Sequence, residues 1–541
     1  MSFIDGLLTQ LQDAGSRPVV TEARAEGPRP VSGSDLARRV ACARATLQAR
    51  GVKPGDRVAL LAPNSADWIA ADLALLAHGA VVVPLYVRQA PEELVFVAQD
   101  AGCVLVITAT EALGAAMGAA GLKAPRTGLS DIFAAEPLIA PVAPRTPDEP
   151  VTFIYTSGTS GPPKGVITTT ANVEAMLPVT ATALSDLLGA VPGQERVFHY
   201  LPLCFAGSRL VMWTTLYRGQ QLWLSTDLDR LMDEIGQARP HYFLNVPILL
   251  ERVKTKAETA LRSKPVPIAW LYERALAASE RRRSGMHSRR DALWLALADR
   301  LLFAPIRAKL GGEARFLICG SAPLSAEVQH WFAMLGLPVY QVYGLTETTA
   351  IVTMDKPGQE RPGTVGYPIP NAQVRLSDEG ELQVRGPHIT PGYHGRPDAT
   401  AAAFTDGWFR TGDRCTLDDD GRLTVIGRVR NLLVPSSGHN VPPEPVELAL
   451  QDAIPGLEQA VLIGHGRPFL TAILTGDVPR EAIEAGVAEV NGTLPFYKRV
   501  RAWHHRQAPL TDAEGLLTAN GKLRRDAIHE AFAEAIDAMY A

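Results

Sequence analysis

The sequence predicts an α/β protein of two domains. The large N-terminal domain has parallel-rich sheets plus a small β unit, and the C-terminal domain is small, mobile and α+β. Helical and strand patterns alternate along the N-terminal part, as in βα units with parallel sheets. Short alternating strands separated by Gly/Asp turns follow between residues 371 and 425. The chain has 541 residues, too many for one hydrophobic core, so two or more domains are expected.

The N-terminal elements follow from local patterns. The pattern from Ser34 to Arg50 predicts a helix that Gly51 closes. The apolar run from Arg57 to Leu61 predicts a buried strand. A helix from Ala66 to Ala77 and a strand from Ala80 to Pro84 continue the alternation.

Further along, the character of the chain changes. The proline-rich residues 141–150 form a link to the middle of the chain. Ala372 to Leu376 and Glu381 to Arg385 are predicted strands of a small antiparallel β unit. After Arg430 a compact α+β segment follows. Its predicted strands are Ala460 to Ile463 and Leu470 to Leu474, and its predicted helices are Pro443 to Ala453 and Arg480 to Asn491.

Composition excludes several classes of protein. Hydrophobic residues make up 46% and charged residues 20%, as in a soluble globular protein. A net charge of −4 gives no global field toward nucleic acid, so no such partner is expected. Five scattered cysteines without a Cys-x2-Cys pair argue against disulfides or zinc and for a reducing cytoplasm. No signal peptide is evident, and polar residues interrupt the longest apolar region, Trp68 to Leu85, so no membrane span is predicted.

A glycine- and hydroxyl-rich loop, Tyr155 to Gly165, lies between two strand patterns. Glycines let the backbone approach a phosphate chain, successive N–H groups form an anion nest, and Lys164 supplies a point charge. The spacing of a Walker A loop is absent, and a strand rather than a helix follows. A flexible surface hairpin is the alternative. The predicted phosphate-binding residues are Thr156, Ser157, Gly158, Thr159, Ser160, Gly161 and Lys164.

A basic segment runs from Glu273 to Arg300 and includes Arg281 to Arg283, Arg289 and Arg290. One interpretation is a pair of solvated amphipathic helices. The other is a landing site for a phosphorylated acceptor, an acyl carrier protein or an anionic membrane surface. The expected location is the cytoplasm, and a membrane as the partner would add peripheral association with that membrane.

Six motifs follow the phosphate-binding loop in order, and together they are specific. With them the chain resembles the adenylate-forming superfamily of acyl-CoA synthetases, peptide-synthetase adenylation domains and beetle luciferases, from about residue 30 to about residue 530. The motifs are Tyr200-Leu-Pro-Leu-Cys204, Gly320-Ser-Ala-Pro-Leu324, Tyr340-Gln-Val-Tyr-Gly-Leu-Thr-Glu-Thr348, Trp408-Phe-Arg-Thr-Gly-Asp413, Gly438-His-Asn-Val-Pro-Pro-Glu-Pro-Val-Glu447 and Leu517-Thr-Ala-Asn-Gly-Lys-Leu-Arg-Arg525.

The resemblance implies an ATP site in the N-terminal domain. Tyr343, next to Gly344, stacks on adenine, Thr346 contacts the α-phosphate, and Glu347 holds Mg2+, a hard cation that needs oxygen ligands. The turn after a predicted strand packs against the adenine ring, and its backbone contacts the base and the acyl group. The residues of this turn are Gly320, Ser321, Ala322 and Pro323.

The resemblance also implies a ribose site and a mobile C-terminal domain. Asp413 binds both ribose hydroxyls, because a carboxylate can accept two hydrogen bonds, and Arg428 contacts ribose or phosphate. Lys522 bridges the substrate carboxylate and the α-phosphate, and Gly438 permits close approach of the CoA pantetheine arm. The expected domains are 1–429, which binds ATP and the acyl group, and 430–541, which turns about Arg430 and carries the catalytic lysine.

The sequence departs from the family pattern at a few positions. Phe205 replaces the histidine that is usual in long-chain acyl-CoA synthetases, and Ser208-Arg209 stands where those enzymes have Glu-Arg. Asn431 is neutral where an acidic residue often follows the hinge, and Asn520 replaces a threonine before Gly521-Lys522.

A long insertion with basic helices, between residues 246 and 312, resembles the layout of long-chain fatty acyl-CoA synthetases. The implied activity is ATP- and Mg2+-dependent conversion of a medium- to long-chain fatty acid to acyl-AMP, then to a CoA thioester. Because of the departures, two alternatives stay open: loading of an acyl carrier protein, and closure of a β-hydroxy acid to a β-lactone. A nucleotide-binding homologue without catalysis is a third.

Overall fold

The described residues form four β-sheets with helices packed against them. The structure is a computed structural model and describes residues 2–156, 162–286, 288–436, 439–518 and 521–540. The strands are β1 Pro18–Ala23, β2 Arg29–Ser32, β3 Arg57–Leu61, β4 Val81–Leu85, β5 Cys103–Thr108, β6 Arg126–Gly128, β7 Pro150–Thr156, β8 Lys164–Thr169, β9 Arg196–His199, β10 Gln221–Ser225, β11 Tyr242–Asn245, β12 Leu317–Cys319, β13 Val339–Tyr343, β14 Thr353–Met354, β15 Tyr367–Pro368, β16 Gln373–Leu376, β17 Glu381–Arg385, β18 Phe404–Thr405, β19 Trp408–Leu417, β20 Leu423–Arg428, β21 Gln459–Ile463, β22 Leu470–Thr475 and β23 Val500–Arg506.

Helices alternate with strands through the N-terminal part and again near the C-terminus. The α-helices are α1 Phe3–Ala14, α2 Gly33–Ala49, α3 Ala66–His78, α4 Pro91–Asp100, α5 Glu111–Ala119, α6 Thr170–Leu188, α7 Ala206–Tyr217, α8 Leu231–Ala238, α9 Pro247–Arg262, α10 Val266–Arg283, α11 Arg289–Ala298, α12 Ala304–Lys309, α13 Ala326–Met334, α14 Pro397–Ala403, α15 Pro443–Ala453, α16 Arg480–Thr493, α17 Arg525–Ala531 and α18 Ala533–Ala538.

Two large sheets carry the N-terminal part of the molecule. In the described residues, one sheet has the order β15-β14-β13-β12-β11-β9-β10-β1-β2 and is parallel from β13 to β1. The other has the order β6-β5-β3-β4-β7-β8, and its strands are parallel except for the antiparallel pair β7–β8. One apolar cluster joins side chains of both sheets with those of α1, α2, α3, α6 and α7. The predicted parallel-rich α/β fold is confirmed.

Helix α3 illustrates why the sequence folds this way locally. The Ser65 side chain caps its first turn by accepting a 3.0 Å hydrogen bond from the amide of Trp68, and Gly79 ends it in the left-handed conformation (φ +90°). Almost every residue between these caps is buried. Each fully buried leucine or isoleucine contributes about 1.5–3 kcal/mol, so burial of its many apolar residues stabilises this helix. The helix predicted from Ala66 to Ala77 is therefore correct to within one residue.

Two small sheets follow. Strands β16, β17, β19, β18 and β20 form the predicted antiparallel unit. Near the C-terminus, β21-β22-β23 form a mixed sheet with α15 and α16 packed against it, around a separate apolar cluster. The predicted helix boundaries of α15 are correct, and β17 likewise matches its prediction. Among the described residues, no helix is both long and apolar enough to cross a bilayer.

Candidate active site

The candidate site begins at the carboxyl edge of the nine-stranded sheet. Strands β11, β12 and β13 are parallel neighbours, so the chain leaves all three at the same edge. Gly320 follows β12 directly, and its amide donates a 3.2 Å hydrogen bond to the main-chain oxygen of Asn245 at the end of β11. Tyr343 is the last residue of β13. Two of the predicted adenine-site motifs therefore lie side by side.

The turn after β12 has an unusual backbone. Ser321 has φ +73°, a left-handed conformation that a residue with a side chain adopts at a cost. A Cβ atom on Gly320 would lie 2.8 Å from Val342 Cγ2, so this position requires glycine for close packing of β12 on β13. Ser321, Ala322 and Pro323 are exposed at the sheet edge. The turn is thus open to a ligand, as the predicted contact with adenine requires.

The segment after β13 turns sharply. A Cβ atom on Gly344 would overlap with the main-chain oxygen of Ala350, so this glycine serves packing of the turn itself. Thr346 and Glu347 lie on a single 3-10 turn, Thr346–Thr348, and both are half-buried. Thr349, directly after this turn, has φ +48°. Backbone strain of this kind concentrates at ligand sites.

The Asp413 carboxylate receives a donor on each oxygen. Asp413 and Arg428 face each other in the antiparallel register of β19 and β20, and Arg428 Nε lies 2.7 Å from Asp413 Oδ1. The Tyr343 hydroxyl donates a 2.5 Å hydrogen bond to Asp413 Oδ2. Burial raises the pKa of Asp413, while the Arg428 charge and the Tyr343 hydrogen bond act in the opposite direction. A buried carboxylate that accepts on both oxygens has the chemistry to bind two neighbouring hydroxyl groups.

The predicted phosphate-binding loop is flanked by an antiparallel strand pair. Thr156, the last residue of β7, lies opposite Lys164, the first residue of β8. The strands on either side of the loop are therefore confirmed, and Lys164 stands at its closing end. The residues between them that were predicted to bind phosphate lie outside the described residues; these are Ser157, Gly158, Thr159, Ser160 and Gly161.

Tyr393 is a residue of this site that the sequence analysis missed. Its hydroxyl donates a 3.0 Å hydrogen bond to Glu347 Oε1, and Lys164 Nζ lies 5.4 Å from the centroid of its ring. Tyr393 thus joins the predicted magnesium ligand to the predicted phosphate lysine. Burial and the neighbouring Glu347 charge raise the pKa of Tyr393, so the hydroxyl stays protonated and remains a donor.

Residues 390–394 position this tyrosine. They run antiparallel to β8, and the amide of His394 donates a 2.8 Å hydrogen bond to the main-chain oxygen of Gly165. At the other end, the amide of Thr390 donates a 2.8 Å hydrogen bond to the main-chain oxygen of Glu347. One short segment therefore fixes the phosphate-loop strand and the Glu347 turn to each other. The sequence signal, a glycine before a tyrosine, was too common to single out.

Lys522 comes from the C-terminal part of the chain. Leu517 and Leu523 form an antiparallel bridge, and the amide of Thr518 donates a 2.8 Å hydrogen bond to the main-chain oxygen of Lys522. The lysine thus lies between Gly521, which has φ +73°, and the bridge residue Leu523.

The charge of Lys522 interacts with groups of the N-terminal part. Desolvation by the surrounding protein lowers the pKa of Lys522, and the Arg428 charge lowers it further. Asp413 and Glu347 act in the opposite direction. The structure therefore brings the predicted catalytic lysine to the same cleft as the predicted ribose and magnesium carboxylates.

One polar contact lies beside the predicted hinge, within the predicted C-terminal domain, and another joins the two predicted domains. Arg430 lies in a 3-10 turn, Val429–Asn431, and Asn431 Nδ2 donates a 2.7 Å hydrogen bond to Glu444 Oε1 of α15. Elsewhere Arg252 of α9 pairs with Glu458 at 3.4 Å. Asn431 stands where an acidic residue often follows the hinge, and its polar partner is the Glu444 carboxylate. Gly438, predicted to approach CoA, lies outside the described residues.

Arg209 has a structural position rather than one in an acyl pocket. It is fully buried, forms an ion pair with the buried Asp72, and places its guanidinium 4.5 Å from the ring centroid of Trp213. Ser208 is buried beside it, and Phe205 packs its ring 5.5 Å from that of Tyr86. The departure at Ser208-Arg209 therefore affects the core between the large sheets.

Comparison with known proteins identifies the class of this protein. Residues 9–394 match the AMP-binding enzyme family, and residues 430–541 match the AMP-binding enzyme C-terminal domain. The chain belongs to the AMP-binding enzyme family, which is the adenylate-forming superfamily that the motifs resemble.

Individual relatives are similar over most of the chain. The long-chain-fatty-acid–CoA ligase FadD15 of Mycobacterium tuberculosis is 30% identical over 557 residues, which cover 94% of this chain and 92% of that protein. The long-chain-fatty-acid–CoA ligase ACSBG1 of Bos taurus is 26% identical over 570 residues, which cover 91% of this chain and 78% of that protein.

A solved structure shares the fold. The o-succinylbenzoate CoA synthetase MenE of Bacillus subtilis, in complex with the acyl-adenylate OSB-AMP, superposes with a TM-score of 0.76 at 21% identity, over 97% of each chain.

Proposed function

We propose that the protein is an AMP-forming fatty acyl-CoA ligase. It converts a carboxylic acid and ATP to acyl-AMP and pyrophosphate, and then transfers the acyl group to the thiol of CoA with release of AMP. The observation that carries this proposal is the cleft that contains Asp413, Glu347 and Lys522 together, in a chain similar to FadD15 over 94% of its length. Lys164 joins this cleft through Tyr393.

The residues of the cleft fit ATP. The two-donor environment of Asp413 suits ribose hydroxyls, and the Tyr343 ring lies beside it. Mg2+, held by Glu347 and by phosphate oxygens, would supply neutralisation of the pyrophosphate charge. Lys164 adds a positive charge to the same phosphates, and Tyr393 orients the Glu347 carboxylate. Thr346, next to Glu347, contacts the α-phosphate in this proposal.

Lys522 is the proposed catalytic residue of the first half-reaction. The carboxylate nucleophile and the α-phosphate are both negative, so a cation that touches both lowers their repulsion as the P–O bond forms. Desolvation lowers the pKa of Lys522, while the charges of Asp413 and Glu347 act in the opposite direction and favour the ammonium form that this role requires. Positioning and charge neutralisation are sufficient, and no covalent enzyme intermediate is required.

The second half-reaction requires a second domain orientation. In this proposal residues 1–429 stay fixed while residues 430–541 turn about Arg430. This rotation withdraws Lys522 and brings Gly438 to the pantetheine arm of CoA. The position of Lys522 among Asp413, Glu347 and Arg428 supports assignment of the present orientation to the adenylate-forming step. A rotation of this kind is a hinge motion of a few terminal residues.

The proposed substrate is a medium- to long-chain fatty acid. The support for this substrate class is the similarity of the chain to FadD15 and ACSBG1, which are both named long-chain-fatty-acid–CoA ligases. The resemblance of the insertion between residues 246 and 312 to the layout of long-chain fatty acyl-CoA synthetases favours the same class.

Two assays test the function. Acid-dependent exchange of pyrophosphate into ATP detects adenylate formation, and CoA-dependent release of AMP over a panel of acids of increasing length detects the ligase. Exchange without CoA-dependent AMP release would favour loading of a carrier protein or closure of a β-lactone. Failure of both assays with every acid would contradict the proposal and favour a nucleotide-binding homologue without catalysis.

The sequence also predicts an anionic partner that binds the basic segment from Arg281 to Arg290. An acyl carrier protein and an anionic membrane surface both fit a basic segment. Peripheral association of a cytoplasmic enzyme with a membrane would bring it to a store of fatty acid.

A further inference from the structure

Helix α11 turns an apolar stripe toward solvent. Leu293 is 66% exposed, Leu297 is 40% exposed, and Leu301, in the π-helical turn Asp299–Phe303 that continues the helix, is 55% exposed. Their spacing of four residues places them on one helix face. Exposed leucines are ordinary one at a time, but a contiguous row is typical of an interaction surface.

The neighbouring helix extends this face. Trp270 of α10 is 45% exposed, and its ring centroid lies 5.1 Å from that of Trp294 of α11 in an edge-to-face arrangement. The Arg274 guanidinium lies 5.1 Å from the Trp270 ring centroid. Val266, at the start of α10, is also exposed. The α10–α11 face, defined as the exposed apolar residues of these two helices and Leu301, therefore includes a tryptophan with a cation beside it.

Basic side chains surround the α10–α11 face. Residues 266–303 contain seven arginines and four carboxylates, a net charge of +3 in a chain whose net charge is −4. Two of these arginines have internal partners: Arg281 pairs with Asp291, and Arg283 pairs with Glu280. Within the described residues, no ion pair joins four further exposed arginines to a carboxylate. They are Arg282, Arg289, Arg290 and Arg300.

We propose that the α10–α11 face docks on a membrane surface that contains anionic phospholipid. Leu293 and Leu297 enter the boundary between head groups and acyl chains, while Arg289, one helical turn before Leu293, meets lipid phosphates. Trp270 lies at the level of the head groups, where an amphipathic ring is favoured. The α10–α11 face shares no residue with the proposed nucleotide cleft, so its docking is tested independently of the catalytic proposal.

A lipid surface explains more of the observations than an acidic carrier protein does. A carrier protein would account for the exposed arginines through charge alone. It would not account for a row of leucines with a tryptophan beside it, which gain from transfer out of water. The combination of apolar stripe and unpaired arginines is the pattern of an interfacial helix on an anionic bilayer.

The test uses the full-length protein and sedimentation with vesicles of phosphatidylglycerol and phosphatidylcholine in equal parts, beside vesicles of phosphatidylcholine alone. The leucine variant is Leu293→Ser with Leu297→Ser, and the arginine variant is Arg289→Gln with Arg290→Gln. The matched controls are Leu228→Ser and Arg480→Gln, which change exposed residues far along the chain from this hairpin.

The parent should bind the anionic vesicles and weaken as salt rises. The leucine variant should bind about tenfold more weakly at every salt concentration. The arginine variant should lose about 30-fold at low salt and less at high salt, because each charge near an anionic surface contributes about fivefold. Both controls should bind like the parent, and all variants should keep the parent melting temperature.

A second readout locates the contact. Brominated phospholipids should quench part of the tryptophan fluorescence of the parent, and Trp270→Phe should remove that part. Parent-like vesicle binding by the leucine variant, or failure of the parent to bind anionic vesicles, would overturn the proposal. If the arginine variant instead lost binding to an acidic carrier protein while vesicle binding was unchanged, the carrier protein would replace the membrane as the partner.

Discussion

Substitution of Tyr393 by phenylalanine removes one atom from the candidate site and leaves the ring in place. In the parent the hydroxyl donates a 3.0 Å hydrogen bond to Glu347 Oε1. A hydrogen bond to a charged group contributes about 1.5–3 kcal/mol. Because Tyr393 and Glu347 are half-buried, we expect the lower end of this range. At 1.36 kcal/mol per factor of ten, the loss corresponds to about tenfold.

The expected consequence is that the enzyme needs a higher Mg2+ concentration. The half-saturating Mg2+ concentration in ATP–pyrophosphate exchange should rise about tenfold in Tyr393→Phe, because the freed Glu347 carboxylate must be ordered when the ion binds. Formation of thioester from supplied acyl-adenylate should stay at the parent rate. A Tyr393→Phe enzyme with the parent's magnesium dependence would refute the assigned role, and so would an equal loss in both half-reactions.

A matched tyrosine separates this effect from general loss of a phenol. Tyr367 is also half-buried, and the Lys356 Nζ atom lies 4.4 Å from the centroid of its ring. Its position in β15 is two strands from Tyr343. Tyr367→Phe should leave the magnesium titration unchanged.

Four further outcomes are expected. Lys522→Ala should lower the rate of adenylate formation by about 10²–10³ and leave thioester formation from acyl-adenylate largely intact; single-turnover assays of each half-reaction check this, and equal losses would exclude the two-orientation mechanism. Glu347→Gln should raise the Mg2+ requirement and lower turnover, whereas an unchanged requirement would make Glu347 structural. In pH profiles of exchange, the rate should fall as pH rises through the lowered pKa of Lys522, since the neutral amine cannot neutralise charge; in Lys522→Arg this alkaline limb should move to higher pH, and identical limbs would assign it to another group. Asp72→Asn should lower the free energy of unfolding by about 3–5 kcal/mol in denaturant titrations, because Arg209 would remain buried without its counter-charge, and a stability near the parent's would contradict that ion pair.

Much of the fold was accessible from the sequence because the responsible signals are local. Runs of apolar residues between caps identified α3 and β3, and alternating patterns identified the strands around β17. The pairing of Asp413 with Arg428 lies between adjacent antiparallel strands, so two motifs near each other in sequence also meet in space.

The contacts that were missed join distant parts of the chain. Tyr393 is 46 residues from Glu347 and depends on the pairing of residues 390–394 with β8. Asp72 is 137 residues from Arg209, and their ion pair depends on the packing of α3 against α7. Neither pattern carries a local signal, since a tyrosine after glycine and an aspartate within an apolar helix have many other uses. The roles predicted for the individual ATP-site residues stay predictions.

The strand-like segment 390–394 also has a consequence for how the enzyme should fail on heating. Lys164 belongs to the six-stranded sheet and Glu347 follows a strand of the nine-stranded sheet, and this segment is hydrogen-bonded to both. Its few hydrogen bonds can open at a much lower free energy than either sheet can unfold. Once they open, the two charges that serve ATP are no longer held at a fixed separation. The protein should therefore lose ATP turnover reversibly in a temperature range where its sheets are still intact.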